Sequence, residues 1–180
     1  MPIGETSPFR SKPLNEQLTP WLRQQSGKLQ HHESTTDSKA VTTAMNILQL
    51  LKDRGCGFLK IAFSSARGDS LEAVISRMGF DVSTTDLRAI DAIQAEAALS
   101  NLFSRDLAYG GKVMDADVAR RYASDLVTEY AGTAAKIFTN AHWENGRLAG
   151  LNPVTKATFN VLILIIRTDF AVSVLVEDED

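Results

Sequence analysis

The sequence predicts an α+β fold in which a small sheet packs with four helices. The strongest indication lies near the C-terminus, where Val161–Ile166 and Phe170–Val176 are apolar runs joined by Arg167-Thr168-Asp169. These runs do not alternate between apolar and polar residues, so a β-hairpin over about residues 157–177 must be covered on both faces. A short apolar run over about residues 57–63 predicts one earlier strand, and the rest of the domain repeats apolar residues at helical spacing.

The N-terminal part of the chain does not have the composition of a folded core. Four of the five prolines fall in the first twenty residues, and residues 1–37 are rich in Ser, Thr and Gln. Such a segment buries too little apolar surface to offset the entropy lost on ordering. We therefore expect a flexible or disordered arm over residues 1–37, followed by a single domain over residues 38–180.

Capping residues and glycines delimit two helices on either side of the first strand. The first helix is expected from the Asp37–Ser38 pair to Gly55, and the second from the Asp69–Ser70 pair to Gly79. The predicted buried stripes are Val41, Met45, Leu48 and Leu51 in the first helix, and Leu71, Val74, Ile75 and Met78 in the second.

Two longer helices are predicted in the middle of the chain. The third is expected to open at the Thr84–Thr85 pair and to end at Gly110-Gly111, and the fourth to run from about Asp115 toward Trp143. Gly132 falls within the fourth pattern, where it costs about 1 kcal/mol relative to Ala and predicts a bend or a close helix crossing. The element order is therefore helix, strand, three helices and the terminal hairpin.

The charge of the chain argues against nucleic acid as a partner. Its net charge is −3, the Lys and Arg residues are scattered, and Arg120-Arg121 is the only adjacent basic pair. A nucleic-acid-binding domain usually carries a basic patch. The acidic end, Glu177–Asp180, is expected to be a solvated tail that protects an apolar edge strand.

Composition also indicates a compartment. Apolar residues make up 44% and charged residues 23%, which is the balance of a globular protein. A single cysteine, Cys56, excludes an intramolecular disulfide, and the first residues lack the build of a secretory signal peptide. The segment Phe159–Val176 is too short for a membrane span and is broken by Arg167 and Asp169. The sequence therefore predicts a cytoplasmic protein without a membrane segment.

One segment has the local geometry of an anion site. A strand, a turn and a helix start follow one another there, so backbone N–H groups and a positive dipole end would point to a bound anion. The candidate ligand-binding residues are Ser64, Ser65, Arg67, Gly68 and Ser70. The turn matches neither of the two common phosphate-binding motifs, so a plain capped turn is the competing interpretation.

Other chemistry finds little support in the sequence. His31 and His32 lie in the polar arm, and only His142 with Cys56 offers a thiol–imidazole pair. A lone cysteine is more often a small buried apolar residue, and His142 is expected at a helix end beside Trp143. No cysteine, histidine or carboxylate spacing matches a metal site, so neither a metal nor a cofactor is expected.

The absence of a catalytic pattern favours a binding function. We expect a non-enzymatic cytoplasmic protein that binds another protein, as a regulator, an adaptor or an inhibitor of the immunity-protein kind. Two alternatives remain open: a secreted effector translocated through its unstructured N-terminus, and an enzyme or small-molecule binder that uses the Ser64–Ser70 turn. A homodimer is also expected, because the doubly apolar hairpin needs two covering layers and helix faces of a second copy can supply one.

Overall fold

In the computed structural model, which describes residues 47–144 and 147–178, the two C-terminal apolar runs form the centre of a five-stranded antiparallel sheet. The strand order is β1-β7-β6-β3-β2. These strands are β1 Phe58–Ser65, β2 Arg88–Ile90, β3 Lys136–Thr139, β6 Phe159–Ile166 and β7 Phe170–Asp178. The predicted α+β class, the early strand and the C-terminal hairpin are confirmed.

Four helices accompany the sheet in the part of the chain that the structure describes. They are α1 over residues 47–53, α2 Leu71–Arg77, α3 Ala92–Ser104 and α4 Ala116–Tyr130. None of them is both long and apolar enough to cross a membrane. The described residues belong to one compact unit of the chain. The predicted arm over residues 1–37 and the predicted start of the first helix lie outside the described residues.

The hairpin is covered on both faces by this chain's own residues. On one face, Ile163 and Val174 pack with apolar side chains of α1, α3 and α4. On the other face, Leu162 and Leu175 pack with α2 and with Val154. Burial of a large apolar side chain contributes about 1.5–3 kcal/mol, so this double coverage makes the hairpin the centre of the core.

The third helix is shorter than predicted. It begins at Ala92, because Asp91 caps it and forms a capping box with Gln94. The preceding residues form a 3₁₀ turn, Thr84–Asp86, and then the edge strand β2, which pairs with β3. A strand of three residues is too short to show an alternating pattern of apolar and polar residues. The sequence therefore indicated a helix at residues that in fact pair in the sheet.

The fourth helix was also predicted wrongly at its C-terminal end. It ends at Tyr130, and the residues expected to continue it form β3 and then β4, Ala141–Glu144. Ile137 is buried in the sheet, where it pairs with Ile165 of β6. An apolar residue at this position satisfies both the helical and the strand pattern. Gly132, which lies between the helix and the strand, has a low helix propensity and so favours an end of the helix before it.

Two buried asparagines attach a second, two-stranded sheet of β4 and β5 (Arg147–Leu151) to the main one. Asn140 Nδ2 donates to the carbonyl oxygens of Asn152 at 2.7 Å and Asn160 at 3.0 Å, and its Oδ1 accepts from the Leu162 N–H at 2.7 Å. Asn160 Oδ1 accepts from the Val154 N–H at 2.8 Å. Because both amides are hydrogen-bonded, their burial costs little.

The first two residues of the acidic end depart from the predicted solvated tail, and Glu179 and Asp180 lie outside the described residues. Strand β7 continues to Asp178, and Glu177 pairs with Phe58 of β1 and with Asn160 of β6. The side chain of Asp178 is buried. The strand also lies between two others instead of at an edge, so acidic residues do not protect an edge here.

Candidate functional site

The predicted anion-binding turn joins β1 to α2. Ser64–Ser65 ends the strand, and Ser70 is the N-cap of α2, where its hydroxyl accepts from the Ala73 N–H at 3.3 Å. Arg67–Gly68 lies exposed between them. The five predicted residues therefore lie together at one end of β1, and the hydroxyl of Ser70 is already used within the turn.

Arg77, at the end of α2, bonds back to the turn. Arg77 Nη1 donates to Asp69 Oδ2 at 2.7 Å and to the Ser65 carbonyl oxygen at 2.6 Å. The hydrogen bond from Arg77 lowers the pKa of Asp69, and hydrogen bonds from the Glu72 backbone N–H and from Ser70 lower the pKa of Glu72. Two carboxylates, those of Asp69 and Glu72, thus lie beside the predicted residues, where their negative charge disfavours an anion, and the anion site stays a prediction.

A buried arginine holds three segments together at the opposite end of β1. Arg54 follows α1 and is 1% exposed. Its Nε donates to the Leu102 carbonyl oxygen at 3.1 Å, its Nη1 to that of Cys56 at 2.6 Å, and its Nη2 to the Asp178 carboxylate at 3.0 Å. One rigid guanidinium group therefore fixes the end of α1, the last turn of α3 and the end of β7.

Asp106 organises the loop that follows α3, Arg105–Lys112. Its carboxylate accepts from the Tyr109 N–H at 2.6 Å, and its own N–H donates to the Gly111 carbonyl oxygen at 3.0 Å. The hydrogen bond from the Tyr109 N–H, with others from neighbouring backbone groups, lowers the pKa of Asp106. Arg105 Nη1 also donates to the Gly110 carbonyl oxygen at 2.9 Å. These internal bonds favour one loop conformation and keep the Asp106 carboxylate charged at neutral pH.

The loop carries a tyrosine at its tip. Tyr109 is 80% exposed, although large aromatic side chains are usually at least half buried. Phe58, at the start of β1, is 45% exposed, and Cys56 is exposed as well. We call the loop Arg105–Lys112 together with Cys56 and Phe58 the Tyr109 surface.

The end of β7 connects the two aromatic residues of this surface. The Leu107 N–H, inside the loop, donates to Asp178 Oδ2 at 2.7 Å, and Phe58 pairs with the preceding residue, Glu177. Both aromatic residues are therefore carried by segments that contact the last two described residues of β7. The sequence indicated the turn through Gly110-Gly111, but it did not predict that Tyr109 would be exposed.

His142 lies on β4 and not at the predicted helix end. Its Nδ1 accepts from Arg88 Nη1, and its Nε2 bonds with Glu144 Oε1 at 2.9 Å, which assigns the donating N–H to Nε2. Cys56 is exposed, contrary to the expectation of a buried thiol. Within the described ranges, His142 bonds to Arg88 and Glu144 and makes no nucleophile–base pair with Cys56.

The described residues do not assemble a metal site. Over 47–144 and 147–178, no group of three or more His, Cys, Asp or Glu side chains is placed to hold a metal ion. His31 and His32 lie outside the described residues. The arrangement that stands out is therefore the Tyr109 surface, which offers exposed aromatic groups on a fixed backbone rather than a reactive group in a cleft.

Comparison with protein-family models, with curated proteins and with solved structures finds no match to this chain.

Proposed function

We propose that this chain is a non-enzymatic protein-binding protein that anchors its partner through the Tyr109 surface. The observation that carries the proposal is the exposure of Tyr109 at the tip of a loop closed by hydrogen bonds. Tyrosine is among the residues that most often dominate the free energy of protein–protein binding. The partner has an apolar pocket that accepts this ring.

The internal bonding of the loop supports this proposal energetically. Association is opposed by the entropy lost when flexible segments become ordered at the interface. The Asp106 carboxylate already holds the Tyr109 N–H, and the Leu107 N–H is bonded to the buried Asp178. Much of that ordering has therefore occurred before a partner binds, and the ring can contribute most of its contact energy to affinity.

The proposal extends to a role and a compartment. A regulator, an adaptor or an inhibitor acts by occupying a surface of its partner, which requires anchors and no catalytic groups. The exposed thiol of Cys56 suits the reducing cytoplasm, because an exposed thiol on a secreted protein is open to oxidation. We therefore place the action of this protein in the cytoplasm.

The test compares three forms of the full-length protein as affinity baits in cell extract: wild type, Tyr109→Ala and Ile93→Ala. Ile93 is the matched control, because it is 82% exposed and lies in the first turn of α3, whereas Tyr109 lies beyond the C-terminal end of that helix. A partner of the Tyr109 surface is captured by wild type and Ile93→Ala and lost with Tyr109→Ala. The captured protein is then purified and its affinity measured by calorimetry.

The expected loss of affinity for Tyr109→Ala is about 30-fold, which corresponds to the roughly 2 kcal/mol of a binding hot spot. Tyr109→Phe should retain most of the affinity if the ring fills an apolar pocket. Equal affinity of wild type and Tyr109→Ala for every captured protein would refute the proposal.

A further inference from the structure

Two cationic residues are paired across the base of the loop that carries Tyr109. Arg105 and Lys112 form an antiparallel bridge, and both are exposed. The backbone hydrogen bonds on either side of this bridge run from the Asp106 N–H to the Gly111 carbonyl oxygen at 3.0 Å and from the Val113 N–H to the Ser104 carbonyl oxygen at 2.8 Å. The bridged residues are therefore a pair without hydrogen bonds of their own. In such a pair the Cα atoms are only about 4.5 Å apart and the two side chains lie on one face.

Like charges that face each other across a strand pair are unfavourable, and this pair is only partly compensated. Arg105 Nη1 donates to the Gly110 carbonyl oxygen at 2.9 Å. Lys112 Nζ lies 3.4 Å from Asp115 Oδ2, with both side chains well exposed, and an exposed ion pair stabilises little. The base of the loop therefore keeps two positive charges close together.

The carboxylate of the loop itself does not neutralise these cations. Asp106 follows Arg105, whose backbone is extended, so the two side chains leave the chain on opposite faces. The Asp106 carboxylate accepts from the Tyr109 N–H at 2.6 Å. It is therefore bonded to the backbone of the loop, and the face shared by Arg105 and Lys112 stays positive.

We propose that the partner of the Tyr109 surface carries carboxylates beside the pocket that receives the ring, and that these carboxylates bind between Arg105 and Lys112. This inference rests on the proposed function and gives the chemistry of the partner, which is an acidic protein surface. The Arg105 guanidinium is bonded to Gly110, the residue after Tyr109, so the cation and the ring can contact one partner together. Tyr and Arg are both enriched in binding hot spots, and a guanidinium group matches the geometry of a carboxylate.

The charge of the chain favours an acidic protein over nucleic acid as this partner. A nucleic-acid-binding domain contacts a series of phosphates through a basic patch. The net charge of this chain is −3, and the loop offers two cations flanked by Asp115. Two cations are enough to bind one or two carboxylates at the rim of a pocket.

Two charge reversals make a matched test. Lys112 and Arg120 are both exposed, and each pairs with an aspartate three positions away. Lys112→Glu and Arg120→Glu therefore change the net charge equally and each remove one weak ion pair, but only Lys112 lies in the loop. Lys112→Gln removes the charge without reversing it. Equal melting temperatures of Lys112→Gln and wild type check that the loop is intact.

The probe is poly-L-glutamate, added to the full-length protein at low ionic strength while the backbone amide NMR signals are recorded. The signals of residues 105–112 should move and saturate, and that of Arg120 should move less. The dissociation constant should rise by about tenfold for Lys112→Glu, by less for Lys112→Gln, and not for Arg120→Glu. Salt at about 1 M should weaken the binding, because it screens exposed charges beyond about 3 Å. A protein captured through Tyr109 should rank the three variants in the same order.

The probe separates this inference from the proposed function. Tyr109→Ala should bind poly-L-glutamate as wild type does, because the probe contacts the cations and has no apolar pocket. The inference is overturned if poly-L-glutamate leaves the loop signals unchanged, or if it binds Lys112→Glu and Arg120→Glu equally, and neither result bears on Tyr109. A single-stranded oligonucleotide that binds the loop more tightly than poly-L-glutamate also overturns it, because the partner would then be a nucleic acid.

Discussion

Arg54 and Asp178 lie 124 positions apart in the sequence and form an ion pair whose side chains are 1% and 5% exposed. Arg54 Nη2 lies 3.0 Å from Asp178 Oδ2, which also accepts from the Leu107 N–H. Water cannot replace either partner at this depth. The pair therefore links the stability of the fold to the position of the Tyr109 surface, since Leu107 belongs to the loop that carries Tyr109.

Replacement of Arg54 by Met is expected to destabilise the protein strongly. The Asp178 carboxylate would remain buried without its counter-charge, and such a loss costs about 3–5 kcal/mol. The free energy of unfolding, measured by urea denaturation, should fall by this amount. The matched control is Arg120→Met, because Arg120 pairs with Asp117 at 3.0 Å with both side chains well exposed.

Exposed ion pairs contribute about 0–1 kcal/mol, so Arg120→Met should change the free energy of unfolding little. Similar small effects of the two replacements would contradict a structural role for the buried pair.

Two glycines offer a matched pair for testing the close approach of backbone to Asp178. Gly57 has a φ of 63°, and a Cβ there would overlap Asp178 Oδ1. Gly68 has a φ of 68°, but no atom of the described residues lies within 4 Å of a Cβ built there. Alanine at either position adopts a strained left-handed conformation that costs about 1–2 kcal/mol, and only Gly57→Ala adds an overlap.

Gly57→Ala should therefore lower the free energy of unfolding by about 1–3 kcal/mol more than Gly68→Ala does, because overpacking at a buried group costs about that much. Thermal denaturation of the two variants side by side measures the difference. Equal melting temperatures would mean that the end of β7 can move away from Gly57 without cost.

The sequence predicted the elements that have a long, unambiguous pattern. The hairpin of β6 and β7 was predicted because two apolar runs without regular alternation, joined by a short polar turn, are typical of strands buried on both faces. Strand β3 was missed because Ile137 and Phe138 fit a continued helix as well as a strand, and its pairing with β6 decides between them. That pairing is a contact between distant residues, which a local pattern does not contain.

The candidate site was harder to predict than the fold. Asp178 belongs to an acidic run, and charged residues of such runs are usually solvated. The sequence therefore did not predict its burial, which depends on an ion pair with the distant residue Arg54. Tyr109 directly precedes the glycine pair at which the third helix was predicted to end, and that pattern indicates a turn without indicating what the turn exposes. The residues of the predicted Ser64–Ser70 site do lie together. However, the Ser70 hydroxyl already caps α2 and bonds to Glu72, and Arg77 already donates to the Ser65 carbonyl oxygen.

A buried hydroxyl without a partner should make one truncation stabilising. Ser173 is 1% exposed, lies between Ala62 and Leu164 in the sheet, and its Oγ has no hydrogen-bond partner among the described residues. An unsatisfied buried hydroxyl costs about 1–3 kcal/mol. Ser173→Ala should therefore raise the free energy of unfolding by about 1 kcal/mol in urea denaturation.

The control for this prediction is Asn160→Ala. Asn160 is equally buried, but its amide bonds to the Val154 N–H and to the Ala157 carbonyl oxygen. Its truncation should lower the free energy of unfolding by at least about 2 kcal/mol, since two backbone groups lose their partners. A destabilised Ser173→Ala variant would show that the Ser173 hydroxyl is satisfied in solution.

The pH dependence of stability in the alkaline range should reflect Tyr122. Its hydroxyl donates to Asp53 Oδ2 at 2.7 Å, and burial followed by this hydrogen bond raises the pKa of Tyr122 to about 12. The pKa of tyrosine in an unfolded chain is about 10, so folding favours the protonated phenol. The resulting stabilisation is complete below about pH 10 and is lost as the pH rises from there through about 12.

Tyr122→Phe should therefore show a smaller decrease in the free energy of unfolding between about pH 9 and pH 11 than wild type does. The decrease should not vanish, because burial also raises the pKa of Tyr130. Asp53→Asn keeps an acceptor for the Tyr122 hydroxyl but removes the negative charge that raises the pKa of Tyr122, so its decrease should be intermediate. Urea denaturation at several pH values measures all three slopes. If the free energy of unfolding fell equally with pH in wild type and Tyr122→Phe, Tyr122 would ionise as readily in the folded protein as in the unfolded chain. That result would contradict a stabilising bond between Tyr122 and Asp53.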